Sequence, residues 1–579
     1  MADGGRKLRS QTWFDTPELY GSLRRAAFKA QGFTEGAYEG RPIIGICNSW
    51  SELTHCNAHL RDLAQAVKRG VWQAGGFPLE FPVMSLGEYN MRPTTMLYRN
   101  LMSMDVEESI TANPLDGVVL LGGCDKTTPA LLMGAASADV PAILVTGGPQ
   151  LKGNWRGEEL GSCTDCRRYH QELRAGKITE DDWAEIQNSI IRSAGHCMVM
   201  GTASTMAAMG EALGMALPGN TDIPAADSRR AQLAESAGRR IMDLVEDDVR
   251  PSKLLTEEAF DNAIRTLHAI GGSTNAIIHL AAIAGRAGIE LPLERFDELS
   301  RETPFILDLK PSGRFVMEDF FYAGGLSAVL KELTPLLRAD VPTVTGKSLG
   351  ENVAESPVHN RELVRTIDEP LAPEGGLAVL RGSLAPSGAV IRPTSASPDL
   401  LTHRGRAVVF EDHDDLERSI DDHDLDVRPD DVLVLRNAGP VGAPGMPEWG
   451  FLPLPKKLLE QGVRDMVRLS DARMSGTAFG TVVVHVAPES AVGGPLGAVK
   501  NGDLIELDVP GRRLDLLVEN TEVQRRLSEA SKPVAHHGRG YGWMFARHVL
   551  QADQGCDFDF LRAEGLIGAG SENVPPTIT

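Results

Sequence analysis

Cys56, Cys124 and Cys197 each stand in a loop that runs into the start of a helix. Helix N-termini carry partial positive charge, which favours thiolate over thiol. Thiolates bind iron–sulfur clusters or zinc, although any one of these cysteines taken singly reads as a small buried residue. Cys124 is followed at once by Asp125 and Lys126, so a soft ligand, a hard ligand and an amine lie side by side. Glu88 falls just past another apolar run, the position an oxygen ligand would need. Glu448 sits in Gly439–Gly450, a loop so rich in glycine and proline that it is either a functional loop or a structural Ω-loop. The segment Arg468–Thr477 exposes hydroxyls among glycine and reads as a nucleophile, a base, an anion cradle or a turn.

These residues need strands and helices to hold them. Val118–Leu121 is a short apolar run and reads as a buried strand. Thr128-Pro129 predicts a helix start, with Thr128 as N-cap and Pro129 first in the helix, and Pro141–Thr146 predicts a second strand. Strand, helix, strand at this spacing is a parallel βαβ unit, which binds ligands at the carboxyl ends of its strands. Pro42–Cys47 and Phe81–Met84 predict further strands. Asn57 is placed to cap a helix whose apolar face is Leu60, Leu63, Ala64, Val67 and Val71, and Ser273 to cap another. Residues 151–185 read as a polar stretch. Between about 339 and 375 the composition shifts to Pro, Gly, Glu and Asn, a domain boundary. The expected organisation is α/β: an N-terminal α/β domain, 1–372, with parallel βαβ units, then a β-rich, barrel-like C-terminal domain, 373–579.

The chain has 579 residues, too many for one ordinary core, and a net charge of −21. That charge, with 5% aromatic residues and no basic stripe, argues against a nucleic-acid or anionic-membrane surface. Met1–Lys7 lacks the apolar core of a signal peptide, and no apolar run reaches about 18 residues, so a cytoplasmic protein is expected. Cys163-Thr164-Asp165-Cys166 has no second cysteine pair, and its role stays open between a second metal and an accidental pair. The acidic run Glu411–Asp431, with His413 and His423, reads as a solvated face. Gly346-Lys347-Ser348 lacks the upstream glycine of a phosphate loop.

Four long motifs in order carry a resemblance: Gly123-Cys124-Asp125-Lys126-Thr127-Thr128-Pro129, Gly271-Gly272-Ser273-Thr274-Asn275-Ala276, Pro444-Gly445-Met446-Pro447-Glu448 and Ser470-Asp471-Ala472-Arg473-Met474-Ser475-Gly476. With them the chain resembles the dihydroxy-acid and sugar-acid dehydratases over nearly its whole length. The resemblance implies an iron–sulfur cluster on Cys56, Cys124 and Cys197, most like 2Fe-2S, with 4Fe-4S also compatible with three ligands. It implies Mg²⁺ on Glu88, Asp125, Lys126 as its carbamate, and Glu448, with Ser475 as base and Thr477 beside it at the substrate. Glu448-Trp449-Gly450 and Ser475–Gly480 look most like the sugar-acid branch, whose hydro-lyases turn aldonic acids such as L-arabinonate or D-xylonate into 2-keto-3-deoxy acids. A homodimer or homotetramer with its site between the two domains is also implied. Two rivals remain: the branched-chain dihydroxy-acid dehydratase, and a non-catalytic iron–sulfur redox protein, which would need four protein ligands and no Glu88, Asp125, Lys126 or Glu448. A structural zinc protein using Cys163 and Cys166 is a further alternative.

Overall fold

In the computed structural model, residues 8–14, 19–529 and 537–563 are described; Met1–Lys7 therefore lies outside the described residues. Four parallel strands, β1 (Ile43–Asn48), β2 (Phe77–Pro82), β3 (Gly117–Gly122) and β4 (Ala142–Thr146), form a sheet in the order β2-β1-β3-β4. Every residue of β1, β3 and β4 is buried. That is why these strands are continuous apolar runs: helices cover both faces of a parallel sheet. Helix Leu60–Gln73 buries Leu60, Leu63, Ala64, Val67 and Val71, the face its periodicity marks.

Several local expectations shift. Strand β2 spans Phe77–Pro82 rather than Phe81–Met84, because it pairs from Ile43↔Phe77 along β1 as an edge strand. The helix after β3 starts at Thr127, with Lys126 in the N-cap position and no side-chain cap. Cys124, at φ 73°, turns the chain into the helix earlier than the Thr-Pro signal indicates. Asn57 does not cap its helix: its amide donates to the Ser49 carbonyl and to Ser85 Oγ, tying two site loops together. Thr274 takes the N-cap position assigned to Ser273, while Ser273 Oγ accepts from the Asn275 N–H at 3.2 Å. The polar stretch 151–185 is a hairpin, β5 (Gly153–Trp155) with β6 (Glu158–Leu160), followed by helix Ser162–Arg174 and helix Glu180–Ile190.

The second half carries eight strands: β7 (Ala378–Leu380), β8 (Gly388–Ile391), β9 (Thr402–Phe410), β10 (Val432–Leu435), β11 (Arg468–Ser470), β12 (Val482–Ala487), β13 (Leu504–Asp508) and β14 (Arg513–Leu516). Their order is β14-β13-β9-β10-β11-β12-β8-β7, with β9 to β12 mutually parallel and antiparallel strands on either side. A bridge between Arg381, next to β7, and Arg513 in β14 brings the two ends together, so the sheet is a nearly closed barrel. Its core holds Leu380, Ile391, Val434, Leu469, Val483 and Ile505. Buried Asp471 accepts from the Ala438 and Ser490 N–H groups, both at 2.9 Å, and fixes the loops beyond β10, β11 and β12. Among the described residues no helix is long and apolar enough to cross a membrane.

Candidate active site

The carboxyl ends of β1 and β3 and the loops after β10 and β11 face one another across a cavity of about 630 Å³. Cys56, Glu88, Cys124, Asp125, Cys197, Glu448, Ser475 and Thr477 all line it. Lys126 lies beneath them, fully buried.

On one wall the donors are hard. Lys126 Nζ lies 2.9 Å from Glu448 Oε1, 3.1 Å from Glu88 Oε2 and 3.5 Å from Asp125 Oδ2. Burial and nearby Arg473 both work against the Lys126 charge, yet Glu448, Glu88 and Asp125 outweigh them and hold its pKa above the ordinary lysine value. Burial pushes Asp125 up to about 6, with Lys126 opposing and Glu448 and Glu88 adding to the rise. Glu88 is lowered to about 2: burial opposes its ionisation, and Lys126, Arg473 and the hydroxyls of Thr95 and Thr94 overcome it. Thr94 donates to Glu88 Oε1 at 2.7 Å and Thr95 donates to Oε2. The three carboxylates surround the buried amine, which is their counter-charge. A CO₂ adduct would turn the amine into a fourth anionic oxygen donor of the kind Mg²⁺ takes.

On the other wall the donors are soft. The neighbouring Cys124 thiol and burial hold Cys56 well above the ordinary thiol value. Cys197 is raised in the same way by the neighbouring Cys163 thiol and by burial. A cation joining these sulfurs would favour their thiolates, and an iron–sulfur cluster supplies that charge. Cys124 holds its left-handed backbone although it is not glycine, a strained geometry that aims its sulfur inward.

Between the walls stands Ser475, 8% exposed. Its Oγ is 2.9 Å from Thr477 Oγ1 and accepts from the Thr477 N–H at 3.4 Å. Arg167 Nη1 donates to Thr477 Oγ1 at 2.7 Å. A guanidinium can only donate, so the Thr477 hydrogen is free to point at Ser475 Oγ. Two donors aimed at that oxygen favour its anionic form. The loop reaches this position because residue 476 is glycine: a Cβ there would lie 2.7 Å from Thr202 Oγ1 and 2.8 Å from Ser273 Oγ, and closer still to the Thr202 nitrogen.

Several site residues were not singled out from sequence. Arg473, fully buried, joins the lobes by donating to Glu448 Oε1 at 3.2 Å, Asn275 Oδ1 at 3.2 Å and Thr94 Oγ1 at 3.0 Å. Arg473 and Asn275 lie within the quoted motifs, which was the available signal. Arg167 carried none. His413, read as part of a solvated face, stacks on Trp449 with ring centroids 4.2 Å apart, and both rings line the cavity. Cys163 lines it too; Cys166 instead packs with Leu160, Tyr169, Ile186 and Ile190.

A parallel α/β lobe and a barrel lobe place thiols, carboxylates and one hydroxyl around one cavity, the lining of an enzyme that acts on a small molecule. The comparisons agree. The N-terminal profile of the dihydroxy-acid/6-phosphogluconate dehydratases matches residues 41–352, and the C-terminal profile residues 362–556. An L-arabonate dehydratase of Azospirillum brasilense is 56% identical, covering 98% of each chain. An L-arabinonate dehydratase of Rhizobium leguminosarum bv. trifolii is 53% identical, covering 97% of each. A dihydroxy-acid dehydratase of Caldanaerobacter subterraneus is 39% identical over 92% of this chain and 96% of its own. The chain belongs to the dihydroxy-acid/6-phosphogluconate dehydratase family and is a hydro-lyase. The family generally depends on a metal and an iron–sulfur cluster.

Proposed function

We propose that the chain dehydrates an aldonic acid, a pentonate such as L-arabinonate or D-xylonate, to a 2-keto-3-deoxy acid. The observation that carries this reading is the convergence of Ser475 with both donor sets in one cavity. Glu88, Asp125, carbamylated Lys126 and Glu448 would hold Mg²⁺, and Cys56, Cys124 and Cys197 an iron–sulfur cluster of the 2Fe-2S type. When bound, the two groups supply Lewis acidity to the substrate carboxylate, its 2-hydroxyl and the departing 3-hydroxyl. Ser475 Oγ takes the C2 proton, and Thr477 donates to that oxygen so that it can act as a base. Arg167 fixes which way the Thr477 hydroxyl points. Loss of the C2 proton and the 3-hydroxyl releases water and leaves an enol, which tautomerises to the ketone; no electrons are gained or lost. The stacked His413 and Trp449 form an aromatic wall on the barrel side against which a sugar chain can lie. The same reading has the chain act in the cytoplasm as a homodimer or homotetramer.

A non-catalytic redox protein is favoured by one observation, since Cys163 adds a fourth thiol to the cavity. It leaves Glu88, Asp125, Lys126 and Glu448 without a task. The experiment is 2-keto acid formation by anaerobically purified protein with Mg²⁺, offered L-arabinonate, D-xylonate, D-gluconate or 2,3-dihydroxyisovalerate. Turnover of the pentonates is expected. Turnover of dihydroxyisovalerate alone would overturn the substrate class, and brown protein inert toward all four would return the redox reading.

A further inference from the structure

Four sulfurs, those of Cys56, Cys124, Cys163 and Cys197, line the soft wall. The Tyr89 hydroxyl pairs Cys163 with Cys197, bonding Cys163 Sγ directly and Cys197 Sγ at 3.4 Å. Cys163 is the second residue of helix Ser162–Arg174, and only its partner in the Cys-x-x-Cys spacing, Cys166, turns away into a separate apolar cluster. The motif is thus not a two-cysteine metal site; one member belongs to the cavity and the other to packing.

We propose that Cys163 is an exchangeable fourth ligand of the cluster site, holding the iron position next to Cys197 until the substrate hydroxyl displaces it. This rests on the proposed assignment of Cys56, Cys124 and Cys197. Three thiolates leave one position short of the four that a cysteine-held cluster takes. A fourth thiol paired with Cys197 is placed to fill that position when no substrate is present. On substrate entry the bond from iron to Cys163 sulfur breaks and a bond from iron to the 3-hydroxyl oxygen forms. The released thiolate takes a proton from solvent, and Tyr89 is in place to hold the freed sulfur by a hydrogen bond. No electron moves.

The exchange also reaches the base. Thr164, beside Cys163, donates to the Thr477 carbonyl at 2.9 Å, and Arg167, one turn on, donates to Thr477 Oγ1 at 2.7 Å. The helix that carries the exchangeable sulfur therefore also orients the hydroxyl next to Ser475. Release of Cys163 and positioning of the base are mechanically linked.

The test uses the whole chain, anaerobically loaded with its cluster. Iodoacetamide labelling read by mass spectrometry should modify Cys163 at least tenfold more slowly in the loaded, substrate-free protein than in the cluster-free protein. Addition of L-arabinonate should restore the faster rate. Cys166 should label at the same rate in all three states. The electron paramagnetic resonance spectrum of the dithionite-reduced cluster should change in Cys163→Ser without substrate, with iron per chain retained. Equal Cys163 labelling with and without cluster would overturn the proposal, as would an unchanged spectrum in Cys163→Ser. The labelling is done on the unmutated chain and decides the matter even if the variant misfolds. Should Cys124→Ser keep its cluster, the underlying ligand assignment fails instead.

Discussion

Thr477→Val isolates the hydroxyl that serves the proposed base. Valine keeps the shape of threonine, so the methyl that fills the space beside Gly201 stays and the loop geometry is preserved. What goes is the 2.9 Å contact to Ser475 Oγ and the acceptor for Arg167. A hydrogen bond to a charged group contributes roughly 1.5–3 kcal/mol. Since about 1.4 kcal/mol is tenfold in rate, kcat should fall by about 10- to 150-fold. The pH profile gives the sign. A donor that stabilises the serine alkoxide lowers the serine pKa, so its removal raises that pKa and carries the acid limb of the rate profile upward by about one to two pH units. Thr477→Ser, which restores the hydroxyl, should recover most of the activity and the original limb. The assay is steady-state 2-keto acid formation from L-arabinonate across the pH range, with the cluster absorbance confirming equal loading. Activity of Thr477→Val within twofold of the unmutated chain would refute the reasoning. So would a loss of rate with no movement of the acid limb.

Cys124→Ser should lose the visible absorbance of the cluster, whereas Ser475→Ala should keep the colour and lose turnover; full activity in Ser475→Ala would mean that another group is the base. Glu448→Gln removes a charge 2.9 Å from Lys126 Nζ and should abolish Mg²⁺-dependent turnover with cluster colour intact, as read by titration with MgCl₂ after chelation. Gly476→Ala adds a Cβ against Thr202 and Ser273, so it should cost about 1–3 kcal/mol and lower both kcat and Tm, while an unchanged Tm would show that the loop has room. Arg286 and Asp557 form a buried pair at 2.6 Å, 0% and 1% exposed, with Glu107 as a second carboxylate 3.1 Å from Arg286, and Asp557→Asn should destabilise by about 1.5–3 kcal/mol in urea unfolding because it removes one of the two charges facing a buried cation.

The sequence alone determined three of the four parallel strands of the first lobe, β1, β3 and β4, and misplaced the edge strand β2. Runs such as Val118–Leu121 are apolar because helices cover both faces of their sheet, and burial of that kind is written locally. It also marked the donors that the loops carry, because Cys124, Asp125 and Lys126 are neighbours in the chain and Glu448 and Ser475 lie in motifs of unusual composition. Where the helices start was less legible: Thr128-Pro129 is a good start signal, but the backbone of Cys124 begins the turn sooner. What only the tertiary structure decided is which side chains meet across the cavity. Arg167 and Thr477 are 310 residues apart and Arg473 and Thr94 are 379 apart, so no local period reports their contacts. Cys163 and Cys166 look alike in the chain, and His413 looks like any residue of an acidic run. Packing gives Cys163 to the cavity and Cys166 to an apolar cluster, and it lays His413 on Trp449. Periodicity records how deeply a residue is buried against its own element; the docking of one lobe on the other decides what it faces.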